Sequence, residues 1–351
     1  MDTKEDQRLD FIDFTKGLGI FMIVWGHCMI VRSGYLYSFH LPLFFLISGY
    51  LYKKAPFPIF LINKINRILI PFIFFFVVSW IVFFILISVG FDTGSLAHHI
   101  KLFPYVIAGI EKDGGNGPIW FLACLFSLVL IYSFLDNYIN NQYLFNLVIL
   151  ALTILGYICA RWSIHLPYRT DIAFSTILFY HLGYYCRKYN FLGFIVSFKW
   201  AQWLIILMLM ALHYYSYRMN IRLSGIHNVN IIANITGNIY LYYLSALFGI
   251  AYTLIITSKI QKIRFINYLG QNSLIILAVH VLILHFIYDP LHLLFNQIHG
   301  LSFLFSLIVA ILSILICLPL IYISKRYIPE LTGYKSFINV NKIRVFRFNN
   351  A

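Results

Sequence analysis

LDFIDFTKGLGIFMIVWGHCMIV, residues 9–31, is apolar for most of its length, yet it carries Asp13, Lys16 and His27. About 20 mostly apolar residues are enough to cross a bilayer as a helix. A helix that serves only as an anchor gains nothing from an acid, a base and an imidazole. Ionisable groups at bilayer depth are costly, so they face a protein interior or a water-filled cavity. At 100° per helical residue, with Asp13 at 0°, Lys16 falls at about −60°, His27 at about −40° and Gly17 at about +40°. Ile20 and Val24 lie on the same stripe. Lys16 and His27 are separated by roughly 16 Å of helix rise, enough to reach from near one membrane face to the mid-plane. Two readings fit the stripe. In one it lines a polar path, with His27 as a general base and Asp13 orienting a partner or balancing Lys16. In the other it is a buried ion pair with a histidine that only fixes helix packing.

The rest of the chain is of the same kind. Of its 351 residues 61% are hydrophobic and only 11% charged, with 34 Phe and 26 Tyr. A soluble domain would carry about 25% charged residues. The long, continuous apolar runs argue for an all-α, polytopic integral membrane bundle and against a β-barrel, whose strands alternate. The net charge of +14 does not point to nucleic acid, because the basic residues cluster in the short segments between apolar runs. The five cysteines, Cys28, Cys124, Cys159, Cys186 and Cys317, form no CxxC pair. They read as small buried hydrophobes. MDTKEDQRLD mixes acids and bases, so the first run is expected to remain as a transmembrane helix rather than a cleaved signal.

About ten spans are expected, near 11–31, 40–53, 68–90, 118–135, 143–160, 171–187, 201–216, 239–258, 272–288 and 301–324. With the first residues inside, 18 of the 26 Lys and Arg fall in inside segments and 7 outside, with Lys16 in the membrane. That bias predicts both termini cytoplasmic and the 91–117 loop extracytoplasmic. The expected division is a transmembrane domain over 1–330 and a basic cytoplasmic tail over 331–351, set among membrane lipids.

Four further segments can carry chemistry. SFHLPLFFLISGYLYKK, 38–54, places His40 just before Pro42, at a helix start or a re-entrant turn; His40 is either a site residue or an interfacial cap. NKINRILIPF, 63–72, sets Lys64 and Arg67 one turn apart on one face. That basic pair suits the phosphates of an anionic cofactor, or plain anchoring at the inner membrane face. GGNGPIWFLACLF, 114–126, leads from a glycine-rich turn into a helix start with Pro118 near its first position. Trp120 can stack on a sugar or sit in the aromatic belt. YLGQNSLIILAVH, 268–280, has Asn272 or Ser273 as a helix cap and places Ser273 and His280 on one face. His280 is either a packing histidine or a second lining residue. No metal-ligand spacing, phosphate loop, nucleophile elbow or dinucleotide fingerprint occurs, so no metal is expected.

DFTKGLGIFMIVWGHCM followed by FHLPLFFLISGYLY resembles the acyltransferase-3 family of membrane acyltransferases. KINRILIPF, GPIWFLACLF and YLGQNSLIILAVH are similar to further elements of that family, so the resemblance runs from about Arg8 to about Arg326. The KG form is most similar to the branch of fucose acetylases and exopolysaccharide-modifying acetyltransferases. The resemblance implies a ten-helix bundle in the cell (inner) membrane. Its implied activity is transfer of acetyl from cytoplasmic acetyl-CoA to a hydroxyl of an extracytoplasmic sugar or polysaccharide. His27 matches the family's essential histidine. Lys16 stands where an R-x10-H form has Arg, and Lys64 and Arg67 match an RxxR element with Lys first. Both replacements keep charge but lose the planar fork of guanidinium. The resemblance and the reading of the residues together nominate a catalytic group of His27, Asp13 and Lys16, a donor-binding pair of Lys64 and Arg67, and acceptor contacts from His40, Trp120, Ser273 and His280. A covalent acetyl-histidine competes with general-base chemistry. A non-enzymatic exporter or flippase of a polysaccharide or lipid-linked sugar is the rival class.

Overall fold

The computed structural model describes residues 4–28, 34–89, 95–108, 117–191, 202–260, 263–295 and 302–339. Among them every regular element is a helix. The one extended pairing among these residues is an isolated bridge between Asn230 and Ile235. The helices are α1 (Lys4–Cys28), α2 (Gly34–Tyr37), α3 (His40–Tyr50), α4 (Phe57–Lys64), α5 (Ile70–Ser88), α6 (Leu96–Ile107), α7 (Trp120–Tyr138), α8 (Gln142–Arg161), α9 (Thr170–Lys188), α10 (Gln202–Ser224), α11 (Ile239–Ile260), α12 (Arg264–Gln271), α13 (Ser273–Phe295) and α14 (Ser302–Tyr327). Each of the expected apolar runs overlaps one of these helices.

Five helical segments are long and apolar enough to cross a membrane: Phe57–Ser88, Gly117–Tyr138, Gln142–Arg161, Ile239–Ile260 and Phe303–Tyr327. The pair Arg264–Gln271 and Ser273–Ile287, bent by 85°, makes a sixth if it is one span. The other expected spans fall on α1, α3, α9 and α10, and the reason they differ is physical. Helix α3 has only 11 residues. Helices α1, α9 and α10 spend polar residues on the bundle interior: Thr15 on α1, Asp171, Ser175, Thr176 and His181 on α9, and His213, Ser216 and Asn220 on α10 are all buried. Helices α5, α8 and α14 expose large apolar side chains such as Ile81, Leu147 and Ile311, as α10 does on its outer face with Leu204 and Leu207. An apolar outer surface, with polar side chains buried inside the bundle, suits lipid as solvent.

Glycines set the closest crossings. A Cβ on Gly17 of α1 would lie 2.0 Å from the Ile266 carbonyl oxygen, and one on Gly270 of α12 would lie 1.8 Å from that of Asp13. Helices α3 and α9 cross in the same reciprocal way at Gly49 and Gly183. Small residues let helix backbones approach where lipid supplies no hydrophobic drive.

Helix α4 passes into α5 through a π-helical turn, Ile65–Leu69. Pro71 explains it: proline offers no N–H to the Arg67 carbonyl and its ring crowds that oxygen, so the helix widens. The segment after α14 returns over this turn. Gly333, at φ +80°, sits where a Cβ would be 3.3 Å from the Arg67 oxygen. Asn66 donates to the Ile338 carbonyl (2.9 Å) and accepts from the Ile338 N–H (2.7 Å). Tyr334 donates to the Asn272 side chain at the α12–α13 bend. Residues 340–351, which complete the expected basic tail, lie outside the described residues.

Candidate active site

A cavity of about 300 Å³ opens beside the C-terminal end of α1. His27 from α1, Tyr37 from α2, His40 from α3 and Trp120 from the start of α7 line it, as do Asn228 and Asn230 from the α10–α11 loop. Ile23, Leu41, Phe121 and Leu277 are among its apolar lining. Such a pocket, mostly apolar with a few convergent polar groups, is the usual form of a small-molecule site.

Local structure explains each position. His27 lies one residue before the described end of α1, and its side chain is open to the cavity. It makes no hydrogen bond among the described residues. Its ring touches Tyr37 (centroids 6.1 Å) and His280 (5.1 Å). Tyr37 is tied down by its hydroxyl, which donates to the Gly26 carbonyl at 2.9 Å. His40 is 2% exposed and its Nδ1 is 2.5 Å from the Leu36 carbonyl. A carbonyl only accepts, so Nδ1 carries the hydrogen and Nε2 is left as a bare acceptor. The turn before His40 is braced by Ser38, whose Oγ lies 2.8 Å from His213 Nε2 and donates to the Tyr35 carbonyl. Trp120 follows the short 3₁₀ turn Gly117–Ile119, where Pro118 suits the helix start. The preceding Gly114, Gly115 and Asn116 lie outside the described residues.

The remaining expected residues are distributed around this cavity rather than within it. Asp13 and Lys16 pair with each other at 3.4 Å, both partly exposed. They lie level with Gly270, near the middle of α1, with Lys16 roughly 16 Å of helix rise from His27. Lys64 is half-buried with its ammonium 4.9 Å from the centre of the Phe60 ring, and Arg67 is exposed. Asn66, between them, is buried. The contacts of Gly333 with Arg67 and of Tyr334 with Asn272 put the Asp13–Lys16 pair, the α12–α13 bend and the Lys64–Arg67 pair around one end of the bundle. Ser273 is half-buried at that bend and does not line the cavity. His280, two helical turns further along α13, stands behind His27. Asn272 closes the C-terminal end of α12, its side-chain amide donating to the Tyr268 carbonyl at 2.6 Å.

One wall went unread in the sequence. The loop 225–238 between α10 and α11 folds inward and is held at several points. Asn220 donates to the Thr236 carbonyl (2.9 Å) and accepts from the Asn238 N–H (2.8 Å). Ser175 donates to Asn234 (2.9 Å), and the Arg169 guanidinium donates to the Ile232 carbonyl. Arg169 is 1% exposed and lies 3.8 Å from the fully buried Asp171. The available signal was the polar run GIHNVNIIANITGN, residues 225–238, whose four asparagines interrupt an otherwise apolar sequence. No group of three or more His, Cys, Asp or Glu arranged to hold a metal occurs among the described residues.

A family model for an acyltransferase domain, that of the acyltransferase-3 family, matches residues 9–322. The chain belongs to this family. It is a membrane acyltransferase, and its apolar helices fit a multi-pass membrane protein. Comparison with curated proteins and with solved structures returns no match. The family match spans both ends of the bundle, the paired cations at one and the histidine-lined cavity at the other.

Proposed function

We propose that this acyltransferase moves an acetyl group from cytoplasmic acetyl-CoA to a hydroxyl of an extracytoplasmic sugar or polysaccharide, in the cell (inner) membrane, with His27 as general base. The observation that carries the reading is the cavity that gathers His27, His40, Tyr37 and Trp120. An imidazole with no hydrogen bond among the described residues is available to take a proton. Aromatic faces and asparagine side chains around it are suited to a sugar's apolar face and its hydroxyls.

In this reading the phosphates of acetyl-CoA rest near Lys64 and Arg67, and its pantetheine arm carries the thioester toward His27. The sugar hydroxyl lies among His40, Trp120 and the asparagines of the α10–α11 loop. Its proton passes to a His27 nitrogen as its oxygen bonds to the thioester carbonyl carbon. Collapse of the tetrahedral intermediate breaks the C–S bond, and the CoA sulfur leaves with the proton returned by His27. The products are the acetyl ester and CoA thiol.

The test is acetyl transfer by the purified protein in lipid nanodiscs, with radiolabelled acetyl-CoA and a surface-glycan acceptor preparation. General-base catalysis contributes about 10²–10⁴-fold. His27→Ala is expected to lose that much of kcat while inserting normally. Full transfer by an inserted His27→Ala protein sinks the proposal.

A further inference from the structure

His280 is fully buried in α13, at 0% exposure. Its Nδ1 lies 2.8 Å from the Ile276 carbonyl, one turn back along its own helix. The carbonyl can only accept, so Nδ1 holds the ring hydrogen and Nε2 is a bare lone pair. That Nε2 has no hydrogen-bond partner among the described residues. A leucine or phenylalanine would fill the same space without leaving a buried acceptor unpaired, which is costly.

The imidazole against it is that of His27, with ring centroids 5.1 Å apart and planes inclined by 55°. His27 in turn makes no hydrogen bond among the described residues, and one side of its ring is open to the cavity. His280 does not line the cavity, although Leu277, one turn away on α13, does. It therefore lies behind the cavity wall, against the ring of His27.

We infer that His280 is a positioning residue for His27: its Nε2 takes one N–H of the His27 imidazole and so leaves the other His27 nitrogen bare toward the cavity. The bond forms when the His27 ring turns a nitrogen toward His280 Nε2, which the 5.1 Å separation of the ring centroids permits. A neutral imidazole has one hydrogen and one lone pair, so occupying the hydrogen at the back determines which nitrogen faces the substrate. When His27 accepts a hydroxyl proton, it holds two N–H groups, and the rear one already has its acceptor. Bases in other nucleophile–base pairs are likewise oriented by a third group. A neutral acceptor does this here without an added buried charge, which is expensive to desolvate. His40 has the same Nδ1-to-carbonyl arrangement, but its place on the cavity wall directs it to substrate. The inference rests on the reading of His27 as the base.

The experiment compares His280→Leu, which removes the acceptor, with His280→Gln, whose amide oxygen retains one. CoA thiol release from acetyl-CoA is measured in nanodiscs with the acceptor preparation that supports wild-type turnover. Taking as a guide the partners that orient metal-ligating histidines, the contact is worth roughly 10–100-fold. The Leu variant is expected to lose that much of kcat while the KM for acetyl-CoA changes less than about twofold, and the Gln variant is expected to recover part of the loss. A Leu variant with wild-type kcat, or a Gln variant no better than Leu, overturns the assignment. If the Leu variant fails to insert, an experimental structure of the wild-type protein decides. A separation under about 3.2 Å between His280 Nε2 and a His27 nitrogen supports the pair; a different partner on His280 Nε2 overturns it. Turnover that does not depend on His27 removes the base reading itself, which is a different result from His27-dependent turnover indifferent to His280.

Discussion

Of the residues singled out by the sequence, His27, His40 and Trp120 meet around one cavity, and His280 packs on His27 from behind. Asp13 lies 3.4 Å from Lys16. Lys64 and Arg67 share the far end of the bundle, and the buried Asn66 between them is clamped to the backbone of Ile338. That clamp holds the π turn, and with it the spacing of the two cations. Charged hydrogen bonds are worth about 1.5–3 kcal/mol each. Lys64→Ala combined with Arg67→Ala is therefore expected to raise the KM for acetyl-CoA by about two to four orders of magnitude, with kcat little changed. Steady-state kinetics in nanodiscs measure this, and an unchanged KM assigns the pair to membrane anchoring instead. The one-turn spacing of these cations is readable in the sequence. The role of Asn66 in holding them is not, because its partner lies 272 positions away.

Helices and loops divide the labour differently from what apolarity alone suggests. Helices α5, α8 and α14 expose large hydrophobic residues outward, whereas α1, α9 and α10 also turn polar groups inward. The loop 225–238 depends on this arrangement, because Asn220 of α10 and Ser175 of α9 both hold it. The Arg169–Asp171 pair beneath it is almost wholly enclosed. Removing one partner of a buried ion pair costs about 3–5 kcal/mol, while replacing both with apolar groups is often close to neutral. Arg169→Met is thus expected to destabilise the protein by roughly that amount, and Arg169→Met with Asp171→Leu to recover most of the loss. Chemical unfolding in detergent reads both. A single variant as stable as the wild type removes the pair from the account of how the loop is held. An asparagine-rich stretch between apolar runs reads as an ordinary connection in sequence, and its inward fold depends on side chains from two other helices.

At the level of the bundle, the family match over 9–322 and the spanning helices make this a membrane acyltransferase. The charge bias predicts both termini cytoplasmic. The five native cysteines are unpaired, so a cysteine-free background is a practical starting point. In that background Lys342→Cys is expected to react with an impermeant maleimide only after lysis, and Ser95→Cys in intact cells; the reverse pattern inverts the bundle. The membrane class, the apolar helical runs and the family follow from composition and short motifs, because burial in lipid and the chemistry of a motif are both local properties. The cavity wall made by residues 228–232, the strap of 333–338 over the π turn and the contact between His27 and His280 do not. Each joins residues far apart in the chain, so each exists only once the helices have packed, with close crossings at Gly17 and Gly270 and at Gly49 and Gly183 and side-chain ties such as those of Asn220, Ser175 and Asn66.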